Sequence, residues 1–509
     1  MKISKKITAF LLATTMIIGL TGCSSSSDSG KTNGEKKEAK SYDQVVYAYA
    51  TFNNIPGEED LDEVEEAINK ITREKIGAEI TLMPISIADY SNKVTLTLQG
   101  GGKLDVFQSL GNFNNSVAKD MAYDITDLLD TCASETKNLI GEEWLEACTQ
   151  DGKIYGVPTY KPIALTPMII YREDIAKELK MDMSKISSIE EVTPVLEQVK
   201  EAYPDMTPLA PVQTGEIGLA MNYGDVDFLT DDRYTPIGVL INDDMTVTDL
   251  YSSDLFRERS KMVRNWYNNG LVMKDAATTI STAAELMSSG NYFGYIAGYS
   301  YPEKDTAISL KAQCGGYDLG AKIIGDPYLT TGDINALTWM VSSTTDVPEA
   351  AMKFLNLTFS DEDIINLLIY GIEGRDYIKN SDGSVTYPEG EDASTVPYTA
   401  QLSCGTLGNY FKMYPMEGTD PASLDWELTQ NKTAKTSKAM GFTFDSSKLK
   451  TQYTAVSNVL SQYLPGLTCG SLDPDTEIDK FIKALNEAGY QDILAAKQEQ
   501  LSAWMENHK

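Results

Sequence analysis

Between Gln44 and Gln108 the chain switches repeatedly between two hydrophobic periods, and this alternation restricts its architecture more than any other feature. Gln44–Ala50 reads QVVYAYA, an apolar run with the length of a buried strand. From Asp60 the residues Leu61, Val64, Ile68 and Ile71 recur at helical spacing, and Gly77 stands where a helix C-terminal cap belongs. Glu79–Ile85 reads as a strand, Asp89–Gln99 as a helix stopped by Gly100–Gly102, and Leu104–Gln108 as a third strand. Such alternation predicts an α/β fold with a mainly parallel sheet covered by helices on both faces. Solutes on such sheets lie beyond the carboxyl ends of the strands, which brings Ser109–Asn115 (SLGNFNN) to the ligand-facing edge. Its small polar residues suit ligand contacts, and they suit a surface turn equally well.

A second α/β run follows. Asp151–Gly152 opens a hairpin, GKIYGVPTY, in which Pro158 stiffens a crossing between lobes. Met168–Tyr171 is strand-like, and Ser188–Glu191 forms a capping box ahead of a helix carrying Val192, Val195, Leu196 and Val199. Helices are expected over Asp254–Asn269 and Thr282–Ser288, with strands over Tyr292–Ala297 and Thr338–Ser342. Pro348 starts a further helix, and Ser360 with Asp363 forms a second capping box. Gly371 to about Asp420 reads as extended loops, and the end of the chain as helices over Leu449–Tyr463 and Thr476–His508. At 509 residues the chain has room for two lobes of comparable size.

Several chemistries are excluded by residue type. The formal net charge of -31 repels phosphate backbones and anionic headgroups, which argues against nucleic-acid binding and peripheral membrane docking. The one histidine, His508, is next to the last residue, so a Ser-His-Asp or Cys-His triad and a His-based zinc site have no imidazole for a cleft. Gly100–Lys103 misses the phosphate-loop pattern, with Thr97 and Leu104 in place of its first glycine and its hydroxyl residue. Gly298–Pro302 misses the nucleophile elbow at Pro302, and Asn380–Gly383 misses a calcium loop because Ile378 takes its first ligand position. Neither a cofactor nor a metal is expected. Besides Cys23, the thiols are Cys132, Cys148, Cys314, Cys404 and Cys469, an odd number; a Cys132–Cys148 disulfide is one reading and buried free thiols are the other.

The first residues bear on location. Lys2, Lys5 and Lys6 precede the apolar run Ile7–Leu20, the layout of a secretory signal over residues 1–22. Leu20-Thr21-Gly22-Cys23 resembles a bacterial lipobox, implying lipidation of Cys23. Residues 23–43, rich in Ser, Gly, Lys and Glu, would be a flexible tether from the outer face of the cytoplasmic membrane.

Several stretches, taken in order, resemble the extracellular solute-binding proteins of carbohydrate-type bacterial ABC importers (family 1-like). These are DVFQSLGN at Asp105–Asn112, GKIYGVPTY leading to MIIYREDI, SSGNYFGYIAGYSYPEK, and INALTWMVSSTTDVPEAAMKFLNLTFSDEDI. GFTFDSSKLKTQYTAVSNVLSQY resembles a lipoprotein subgroup of these proteins. The resemblance implies a two-lobed periplasmic-binding-protein-like fold of type II, with hinge crossings and an additional C-terminal helical segment. Lobe 1 would take residues 44–158 and 299–360, and lobe 2 residues 159–298 and 361–509 with the C-terminal helices. The implied function is capture of oligosaccharides or sugar derivatives by hinge closure, and delivery to the permease subunits, by a monomer performing no catalysis. Alternatives are the same architecture binding peptides or other polar or cationic solutes, and a tethered glycosidase. For the ligand site the resemblance points to Gln108, Ser109 and Asn112 after the third strand, Tyr299 or Tyr301 after the strand at Tyr292, Tyr223, Trp339 and Phe442. Asn53 and Tyr160 complete the candidate set.

Overall fold

The computed structural model describes residues 41–508. The expected signal segment, Cys23 and the tether up to residue 40 lie outside the described residues. Among the described residues no helix is long and apolar enough to cross a membrane.

The strands that set the architecture are, in chain order, β1 (Asp43–Thr51), β2 (Ala78–Ser86), β3 (Val106–Gln108), β4 (Val157–Pro158), β5 (Thr166–Arg172), β6 (Thr207–Leu209), β7 (Tyr292–Tyr299), β8 (Leu319–Ile323), β9 (Tyr328–Leu329), β10 (Thr338–Val341) and β11 (Lys435–Thr436). The first sheet has the order β2-β1-β3-β10-β4 and the second β8-β5-β7-β6. In the first, β1 pairs parallel with β2 in continuous register from Asp43 opposite Ala78 to Thr51 opposite Ser86, and β3 joins parallel at Tyr47–Val106. The intervening helix Glu58–Lys75 buries Val64 and Ile68, carries acids in its first turn and Arg73 and Lys75 in its last, and thereby complements its own dipole. Gly77, at φ +69°, takes the left-handed turn that returns the chain to β2.

Both sheets are more mixed than the sequence pattern implies. The strand β10 runs antiparallel to β3 and β4, and β5 runs antiparallel to both β7 and β8. The parallel expectation came from a strictly alternating segment; the later strands arrive by crossing between lobes and therefore enter from the other end. The capping boxes also moved. Glu191 caps backwards onto Ser187 instead of pairing with Ser188, and the helix Glu362–Tyr370 is capped by Asp361 while Ser360 still belongs to the preceding helix.

Each sheet anchors its own core. In the first lobe Tyr47 and Trp339 stack at 4.6 Å and Phe354 meets Tyr47 edge-on. In the second, Phe293, Trp266 and Leu196 pack under β7, while a further cluster around Tyr251, Phe481 and Tyr490 ties the C-terminal helices to the segment 226–256. The lobe boundaries differ from those drawn on the sequence in two places. The strand β8 pairs with β5 in the second lobe, and Ile364, Ile365 and Leu368 of the helix Glu362–Tyr370 belong to the first core, with Tyr377, Val385 and Tyr398 beyond it. Both were misassigned because the crossings, equal in number to those expected, lie at 161–165, at 324–330 and at 434–438, and the last two fall further along the chain in segments without a hydrophobic period to mark them. The latter two crossings pair with each other through β9 and β11, Tyr328 opposite Lys435. Among the described residues Cys132, Cys148, Cys314, Cys404 and Cys469 are all free thiols.

Candidate functional site

A cleft of about 630 Å³ lies between the sheets. Its first-lobe wall is the loop Gly111–Asn115, which leaves the carboxyl end of β3, with Asn335 and Ala336 leading into β10. Its second-lobe wall is Ile296–Gly298 at the carboxyl end of β7, the Val212–Gly218 segment after β6, and the loop Phe228–Tyr234. The expected position beyond strand ends is therefore occupied from both sides.

The Phe228–Tyr234 loop is held under strain. Leu229 and Thr230 both have positive φ, +51° and +68°, which is costly for a β-branched residue. Asp227, buried below them, accepts the Leu229 N–H at 2.7 Å, and burial pushes its carboxyl up to about 6. Asp231 accepts from the Lys497 ammonium at 2.6 Å and from the Ile237 N–H at 2.7 Å. Fixed in this way, the loop presents Arg233 to the cleft, where its guanidinium meets Asp333 at 2.5 Å. Asp333 is itself fixed, its other oxygen accepting from the Thr330 N–H and hydroxyl in a capping box at the start of the helix Thr331–Asn335.

Glu216 forms the opposite part of the wall. It is 6% exposed, and one oxygen accepts the Gly218 N–H at 2.6 Å and the Ala220 N–H at 3.3 Å. Burial outweighs these hydrogen bonds and lifts its carboxyl to about 7. Gly218, at φ +101°, allows the turn to lie against Ile296, where a Cβ would come within 2.5 Å. Phe113, Phe228 and Tyr234 add ring surface, and the Asn114 side-chain oxygen is buried without a partner. The site thus offers flat apolar faces, one guanidinium and several acceptors, the inventory that suits a hydroxyl-rich ring. Among the described residues no cluster of three or more His, Cys, Asp or Glu could hold a metal ion.

Of the ten ligand candidates drawn from the sequence, Asn112 lines this cleft. Gln108 and Ser109 line an adjoining hollow with it, although Gln108 is 2% exposed and donates to Thr159 and to the Thr406 carbonyl. Tyr299 directly follows the cleft-lining Gly298 but shares its hydroxyl with Tyr295 at 2.8 Å. Tyr301 is 37% exposed just beyond it. The remaining candidates are placed elsewhere. Trp339 is fully buried on Tyr47, with its indole N–H on the Thr406 carbonyl; Tyr160 packs between Trp144 and Phe411; Phe442 packs against Trp504. Tyr223 sits between two cores of the second lobe, and Asn53 ties the Ala393 and Leu402 backbones together. Large aromatics near a strand end were legible as candidates, but the same residue types build the cores. The cleft residues missed by the sequence reading, Glu216, Arg233 and Asp333, had weaker signals: the Asp231-Asp232-Arg233 cluster between two apolar runs, and the Thr330-x-x-Asp333 capping pattern.

Comparison with known proteins bears on the family and the fold. Residues 66–372 match the family model described as bacterial extracellular solute-binding protein, and residues 438–506 match a domain of unknown function, DUF3502. A carbohydrate ABC transporter substrate-binding protein of Streptococcus pneumoniae serotype 4 is 25% identical over 481 residues, covering 94% of each chain. The crystal structure of the N-glycan transport solute-binding protein NgtS from Streptococcus pneumoniae superposes with a TM-score of 0.77 at 23% identity, covering 92% of this chain and 100% of that one. Its complex with Man5GlcNAc superposes at 0.62, with 23% identity and coverages of 92% and 99%.

Proposed function

The chain belongs to the bacterial extracellular solute-binding proteins, and from that premise we propose that it captures oligosaccharides or sugar derivatives between its lobes and hands them to an ABC permease. It acts outside the cytoplasm and performs no chemistry on its solute. The observation that carries the reading is the interlobe cleft itself, walled by the carboxyl ends of β3 and β7 and bridged by Arg233 and Asp333. Closure about the crossings would bring Asn112 and Asn114 down onto a ring seated against Phe228 and Tyr234, and the guanidinium would exchange Asp333 for a pair of sugar hydroxyls. The reading extends to attachment through a lipid on Cys23 and to action as a monomer.

A second reading, a cationic or peptide solute, draws on the carboxyls of Glu216, Asp231, Asp232 and Asp333 around the cleft. Two of them are already committed, Asp231 to Lys497 and Asp333 to Arg233, and Glu216 titrates near neutrality. Little free negative charge is left to select a cation, so the neutral, hydroxylated solute is favoured.

Thermal unfolding of the full-length protein against oligosaccharides, peptides and polyamines tests the choice. A solute at a hundred times its dissociation constant should stabilise by about 2.7 kcal/mol. We expect that shift with a glycan recovered intact, and its loss in Arg233→Ala. A shift confined to peptides or polyamines would overturn the carbohydrate assignment while keeping the binding-protein fold.

A further inference from the structure

A second, larger hollow of about 760 Å³ opens between the lobes and shares no lining residue with the cleft. The helix Thr331–Asn335 separates the two. Gly332, Asp333 and Asn335 line the cleft, while the Thr331 hydroxyl faces the other way, donating to the Ala439 carbonyl and accepting the Gly441 N–H. The first-lobe wall of this hollow is Glu146 and the hairpin Thr149–Gly152; the second-lobe wall is Gly441–Thr443 and the end of the last helix.

Its chemistry is not that of a packing defect. The His508 imidazole stacks on the Trp504 indole at 4.3 Å and reaches Glu146 across the gap at 2.9 Å, so this aromatic pair of one lobe is tied to the other through Glu146. Residues on opposite walls carry two polar atoms, the Gln150 side-chain oxygen and the Thr443 hydroxyl, that are buried without a hydrogen-bond partner among the described residues. Leaving such acceptors unpaired is unfavourable, so a donor reaching either of them from the hollow would gain a hydrogen bond. Gln500 holds the adjoining Asp445 backbone from both ends, accepting its N–H at 2.9 Å and donating to its carbonyl at 3.0 Å, so this wall is pre-set. Glu146, Asp151 and Asp445 lie on the lining, and neither lysine nor arginine is present there, which disfavours anions.

We propose that this hollow is a second binding site, for a neutral sugar ring, with the Trp504–His508 stack as its apolar wall and Gln150 and Thr443 as its hydroxyl acceptors. Because its walls belong to different lobes, occupancy alters the same lobe arrangement that the cleft requires, and the two sites are coupled reciprocally.

The single histidine provides the readout. Full-length protein labelled with 15N-histidine is titrated with mannose and with N-acetylglucosamine up to millimolar concentration. A saturable shift of the imidazole resonances is expected, weakened roughly tenfold in Gln150→Ala, a change of about 1.4 kcal/mol in affinity. Trp504→Ala should abolish saturable binding; since it also removes packing, the Gln150→Ala comparison decides. Absence of a saturable shift with either sugar overturns the proposal. So does a shift unchanged in Gln150→Ala, which would mean a signal relayed from the cleft.

Discussion

Lys497 has no exposed side-chain surface, and its ammonium is committed to Asp231, the residue that fixes the cleft loop. Burial alone would neutralise both partners, lowering the lysine and raising the aspartate. Removing one partner strands the other, so Lys497→Met should cost about 3–5 kcal/mol in urea unfolding and weaken solute binding with it. Glu216 carries the reverse sign. Its folded value of about 7 lies above its ordinary 4.5, so between those values the folded state holds a proton that the unfolded state has lost. Its contribution to stability therefore falls as pH rises through that window, by a few kcal/mol at most at about 1.4 kcal/mol per pKa unit. Glu216→Gln, whose amide oxygen can still accept from Gly218 and Ala220, should flatten the change in melting temperature between about pH 5 and about pH 8. Neither residue stands out in the sequence. An isolated Glu in a Gly-rich stretch and a Lys on a C-terminal helix are both ordinary surface residues until long-range packing buries them, and no local pattern reports that packing.

Among the elements, the helix Pro421–Thr433 does the least expected work. Asn431 on its inner face accepts the Ile163 and Ala164 N–H groups at 2.9 and 3.1 Å and donates to the Lys161 carbonyl at 2.6 Å, holding the whole first crossing with one side chain. Asn431→Ala leaves buried backbone donors unpaired, and should lower stability by about 1–3 kcal/mol and speed amide exchange at 163–164. Hydrogen exchange of the variant against wild type measures both. Elements with strong periodicity, such as β1 and the helix Glu58–Lys75, were legible to within a few residues because one buried face dictates them, whereas the helical end of the chain was legible without its break at Gly489. The role of the helix Pro421–Thr433 was not, since Asn431 meets an irregular crossing segment while only Trp426 and Leu428 of the helix pack against hydrophobic clusters.

At the scale of the whole molecule, the α/β class, the two lobes and the hinge crossings were readable, the last two through resemblance. The lobe membership of β8 and of the helix Glu362–Tyr370 was not, because pairing partners lie more than a hundred residues away. The proposed anchor is tested at this scale: Cys23→Ala should move the protein from the membrane fraction to the medium with its melting temperature unchanged. The repeated crossings have one more consequence. Each lobe is assembled from separated stretches of chain, and β1 to β4 share their sheet with β10 from beyond the second lobe. A protease that nicks the backbone at 161–165 would leave two fragments that both own part of the first sheet. Neither lobe could diffuse away, and a once-cut molecule would keep its shape.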